Sequence, residues 1–119
     1  MPFSERDWQH LRDVHPLALE RFCTRVLTDA VATAHEDGRS AHERYLALFR
    51  LLQGRDAAMA AAFDDLRRSP GLQRLSAMVA LDLVTHEELA GLSPDVQNAA
   101  RELGQALASP RPAMRRRPP

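Results

Sequence analysis

The sequence contains no lysine, one cysteine (Cys23), one tryptophan and one tyrosine. A single thiol excludes an internal disulfide and any thiolate-based metal cluster. No apolar run approaches the roughly 20 residues that span a bilayer, so no membrane partner is expected. The N-terminus, MPFSERDWQHLRD, is charged within its first seven residues and lacks the apolar stretch of a secretory leader, so the expected location is the cytoplasm. Five glycines, scattered singly, leave no Gly-rich loop to cradle a phosphate. The missing lysine accompanies 16 arginines and 19 alanines. We read that bias as GC-rich coding of bacterial type, which weakens any inference that arginine was selected for its planar fork.

What is present is charge, unevenly spread. The last eleven residues, SPRPAMRRRPP, hold Arg111, Arg115, Arg116 and Arg117 and no acid. The other twelve arginines face 16 acids, so residues 1–108 carry about −4 against a tail of about +4. With four prolines and no apolar periodicity, residues 109–119 are expected to be a disordered basic tail. The remaining 1–108 suffice for one domain with an ordinary core.

Apolar spacing is helical throughout, with no period-2 strand. Ser4 is placed to cap a first helix over Glu5–Val14, with Asp7 as a short reciprocal partner and Phe3 and Trp8 spaced as a hydrophobic staple. Pro16 suits the first turn of a second helix, whose inward stripe Leu19, Phe22, Cys23, Val26, Leu27, Ala30, Val31, Ala34 runs to a left-handed stop at Gly38. Ser40 and Glu43 form a capping box for a third helix, AHERYLALFRLLQ. Its apolar face is too wide for a surface helix and calls for neighbours on two sides. Gly54 is expected to end it. A fourth helix over about Asp56–Arg68, rich in alanine, buries Met59, Ala62, Phe63 and Leu66, and a fifth follows the break at Ser69-Pro70-Gly71. Thr85 and Glu88 make another box before a short segment ending at Gly91, and a last helix carries Val96, Ala99, Ala100, Leu103 and Leu107. The expected fold is an all-α, compact single-domain bundle of six or seven short helices.

Residues with chemistry to offer are few. Ala-His-Glu occurs twice in TAHEDGRSAHER, and His35 and His42 are the only metal-ligand candidates. They lie seven residues apart across a helical corner, where Glu36, Asp37 or Glu43 could join them, but without the i, i+4 spacing of a zinc helix or a prescribed third ligand. Their glutamates have helix-end work, so the repeat reads as punctuation. His15 precedes a proline and is expected in extended backbone. Ser4, Ser40, Thr85 and Ser93 read as caps, Cys23 as a buried inert thiol, and Asp64 and Asp65 as a solvated pair on different helix faces. No catalytic residue or cofactor is assigned.

The segment THEELAGLSPDVQNAAREL resembles the helix-turn-helix of bacterial repressors at Glu87, Glu88, Leu89, Ala90, Gly91, Leu92, Ser93 and Val96. The resemblance implies base-edge contacts from Gln97, Asn98 and Arg101. By charge alone, and outside the resemblance, the tail arginines Arg115, Arg116 and Arg117 suit phosphates or an acidic surface. In that motif three residues separate the Ala from the Gly, whereas Ala90 and Gly91 are adjacent, which leaves the first helix nearly a turn short.

The leading expectation is a small, non-catalytic cytosolic protein serving interaction or regulation, with an unidentified protein partner. A homodimer through the first helix or the Ala-rich fourth one fits the pattern. Nucleic-acid binding through residues 85–107 and the tail is the alternative, and a metal- or ligand-binding bundle the second alternative.

Overall fold

Ser4 opens the first helix as its spacing predicts: its hydroxyl accepts from the Asp7 amide at 3.0 Å. The structure is a computed structural model describing residues 3–108, and among these it is compact, all-helical and without strands. The described residues form five helices rather than six or seven: α1 (Glu5–Ala34), α2 (Ala41–Phe63), α3 (Gly71–Ala80), α4 (His86–Ala90) and α5 (Pro94–Ala108). The expected tail, residues 109–119, lies outside the described residues.

Two expected breaks do not occur, and the helix count falls with them. α1 continues through Pro16. A proline inside a helix removes one backbone bond and crowds the carbonyl four residues earlier, costing about 3 kcal/mol. Pro16 and Arg12 both face solvent, so the freed carbonyl can turn to water. On the opposite face Asp7, Leu11, Val14, Ala18 and Phe22 are buried at i, i+4, i+7, i+11 and i+15. One buried stripe through the proline outweighs the local penalty. His15 is accordingly helical, not extended, with its ring edge-on to Phe63 at 5.3 Å. α2 likewise runs through Gly54, because a helical glycine costs only about 1 kcal/mol and the following sequence is rich in alanine.

α2 stops at Phe63, five residues before the expected end. Asp64 turns to extended backbone and Asp65 takes a left-handed φ of 56°, its carboxylate held by both Nε and Nη2 of Arg67. α3 starts at Gly71, which the Phe3 ring covers. A Cβ there would stand 2.2 Å from the Phe3 Cε2, so only glycine lets the N-terminal segment close on α3.

α3 ends in a Schellman turn that the sequence reading missed. The Asp82 amide donates to Val79 and the Leu83 amide to Met78, with Asp82 at φ 59° where glycine is usual. Leu83 and Met78, the apolar pair of that motif, are both buried. The Thr85–Glu88 and Ser40–Glu43 boxes form with both reciprocal bonds. The reciprocal box at Ser4 does not form. The shorter Asp7 carboxylate instead crosses to α5, accepting from the Ser93 amide and hydroxyl at 2.8 Å each. Burial opposes the charge of Asp7, but the donors from Ser93 and Ser4 prevail and hold its carboxyl below the usual value.

The core lies between the first half of α1, the end of α2, and α3–α5, centred on Leu11, Ala18, Phe22, Leu75, Met78, Leu83, Leu92 and Val96. α5 packs on α3 through Val96, Ala100 and Gly104, all buried, and a Cβ on Gly104 would come within 3.2 Å of the Ser76 carbonyl. That close approach turns Leu103 and Leu107, expected in the core, toward solvent at 42% and 62% exposure.

Candidate docking surface on the α1–α2 hairpin

Past Phe22, α1 leaves the core and runs alongside the first two thirds of α2 as an antiparallel hairpin. No residue between Cys23 and Ala61 is buried. The third-helix segment AHERYLALFRLLQ, expected to have neighbours on two sides, has among the described residues a helical neighbour on one side only, α1. Tyr45, Phe49 and Leu52, at i, i+4 and i+7 of α2, are 64%, 52% and 44% exposed. Leu27 and Val31, at i and i+4 of α1, are 65% and 59% exposed. Between the helices lies an open apolar groove of about 560 Å³, lined by Phe22, Cys23, Val26, Leu27, Phe49, Leu52 and Met59, with Gln53, Arg55 and Asp56 supplying the polar part. Cys23 is thus half-buried in a groove wall rather than sealed in the core.

The hairpin is tied at both ends by arginines. At the corner, Arg44 donates to the Ala34 carbonyl at 2.7 Å, satisfying the end of α1. Midway, Arg55 bridges to Asp29 at 2.6 Å. At the far end, Arg74 of α3 donates to the carbonyls of Ala61 and Asp64 and closes α2. Arg25 takes the carbonyls of Leu81 and Asp82 after α3, and Arg21 takes that of Leu83. None of α1, α2 and α3 has a basic residue in its own last turn, and each receives an arginine from another helix. Arg21 also grips Glu88 with two parallel bonds of 2.7 and 2.8 Å. That grip, with further donation from the Thr85 amide and against the pull of burial, holds the Glu88 carboxyl down at about 2.

The residues singled out from sequence are spread over the molecule. His35 caps the end of α1 and His42 lies in the first turn of α2, both exposed. Among the described residues no group of three or more His, Cys, Asp or Glu is placed to hold a metal ion. Gln97 spends its amide on the Leu92 and Ala90 carbonyls, tying α5 to the turn after α4. Asn98 is exposed, and Arg101 is half-buried beside Val79 and Gly104. Arg115, Arg116 and Arg117 lie outside the described residues. His10 and His15 donate to the carbonyls of Glu88 and Phe63, which is helix-end work. No described helix is long and apolar enough to cross a membrane.

Sequence reasoning located the wide apolar face of 41–53 and misplaced it in the interior. The signal that could have corrected this is that the other helices among the described residues, α3, α4 and α5, are short. No family model, curated protein or solved structure matches the chain.

Proposed function

We propose that the chain is a non-catalytic protein-interaction module whose docking surface is the apolar face of the α1–α2 hairpin. One observation carries this reading: Leu27, Val31, Tyr45, Phe49 and Leu52 stand about half or more exposed on consecutive turns of two adjacent helices. Exposed apolar side chains scattered singly are ordinary on any surface, whereas a contiguous patch beside a groove marks a binding face. Two parallel ridges of side chains at helical spacing fit the apolar face of one or more partner helices.

The test leaves the occupant open. A photo-crosslinking phenylalanine analogue is placed at Phe49, and a matched one at Gln73, exposed on α3 in the packed half. In the native host, Phe49 is expected to give a discrete adduct and Gln73 none. No adduct at Phe49, or equal adducts at both positions, overturns the reading.

A further inference from the structure

Resting on that reading, we infer that the occupant is a second copy of this chain, the two hairpins packing face to face as a four-helix bundle. The first argument is charge. Residues 23–61 contain five arginines (Arg25, Arg39, Arg44, Arg50, Arg55) and five acids (Asp29, Glu36, Asp37, Glu43, Asp56), so the hairpin is neutral. Like-charged faces repel when apposed, and a net charge on the hairpin would select a partner of opposite sign. A neutral hairpin, whose groove carries one charge of each sign in Arg55 and Asp56, meets its own copy without that penalty.

The second argument is area. At their observed exposures the five large side chains leave on the order of 500–600 Å² open per copy, and the polar rim brings this near the roughly 800 Å² per partner of a standard stable interface. A groove for one peptide helix would need far less of the α1 ridge at Val31 and the α2 ridge at Tyr45.

The third argument is the pattern of α2 itself. Its Tyr45–Leu52 segment has apolar positions for two neighbours, and α1 supplies one. Two hairpins brought together give every helix two neighbours, the arrangement of an antiparallel four-helix bundle. A two-fold pairing uses the same patch on both copies, so the surface need only complement itself.

The experiment is mass measurement by sedimentation on the full chain from about 1 to 200 µM, beside Leu27→Asp/Phe49→Asp and, as a control for the same chemical change elsewhere, Leu107→Asp. The wild type and Leu107→Asp are expected at twice the 13.3 kDa chain mass at high concentration, with the double variant monomeric and its self-association weakened at least a hundredfold. Far-UV circular dichroism is expected to be unchanged in the double variant, since both side chains are exposed in the single chain. A readout independent of any variant is hydrogen exchange at the two concentration limits, with slower exchange at 200 µM confined to residues 23–31 and 45–56. Monomeric wild type at 200 µM overturns the inference. So does a dimer that survives the double variant, or protection confined to α3–α5. A monomer that still forms a Phe49 adduct with another protein in the host removes the second copy and leaves the docking reading intact. A monomer with no such adduct removes both.

Discussion

The two halves of α1 belong to different physical regimes. From Asp7 to Phe22 every third or fourth residue is buried, and the neighbours are α3, α4 and the end of α2. From Cys23 to Ala34 none is buried, although the apolar spacing continues unbroken. The same periodicity therefore describes a core stripe in one half and an open face in the other. Periodicity states that a face wants company. Only the count of remaining elements states whether the chain can supply it, and among the described residues α3, α4 and α5 are already committed to the packed half.

The sharpest way to break this contrast is a matched pair of truncations. Leu11 is fully buried, and Leu11→Ala is expected to cost about 3 kcal/mol through lost burial and a residual cavity. Leu52 is 44% exposed, and Leu52→Ala is expected to cost under about 1 kcal/mol when measured near 1 µM. Urea denaturation of both variants checks this; equal losses at that concentration would mean that the hairpin is packed as tightly as the core.

A smaller effect sharpens the contrast from the electrostatic side. Glu88 joins α4 to α1 only in the packed half, and its carboxyl, at about 2, lies below the ordinary 4.5. A depressed carboxylate stabilises the fold above the unfolded value, and that contribution drains away as pH falls from 4.5 toward 2. Glu88→Gln is therefore expected to lose about 1–2 kcal/mol at pH 7, with the gap to wild type narrowing below pH 4.5 and closing near 2. Thermal melts across that range decide it. A gap that is independent of pH would mean that the ionised state of Glu88 contributes nothing to the fold.

The helix starts of both halves were the most legible part of the sequence. The boxes at Ser40 and Thr85 form because Ser/Thr and Glu three apart are sufficient to close them locally. The two missed helix continuations share a weak local penalty. Pro16 and Gly54 carry local penalties of a few kcal/mol or less, and packing along a stripe decided α1 while alanine propensity decided α2. The arginine caps were illegible for a different reason: Arg25 and Leu81, or Arg44 and Ala34, meet only once the chain has folded back. Asp7 shows both halves of the lesson, since its amide obeys the local rule while its carboxylate answers a residue 86 positions away. Of the docking face, the apolar composition could be read from sequence, and its exposure could not.

The smallest expected effect tests what governs the hairpin. Gly54 sits in the interior of α2, and a Cβ added there would meet nothing within 4 Å. Gly54→Ala therefore changes backbone freedom and helix propensity without touching any contact, unlike Gly71, where the Phe3 ring stands in the way. If propensity rules the hairpin, the variant gains about 0.8–1 kcal/mol, the full difference between the two residues in a helix. The gain should appear in urea melts of the wild type and of the Leu27→Asp/Phe49→Asp background alike, because the open side of Gly54 is away from the apolar face. A loss confined to the wild-type background at high concentration would instead place a second chain against Gly54. That outcome would move the contact to the other face of α2, where glycine leaves room for a closely packed helix.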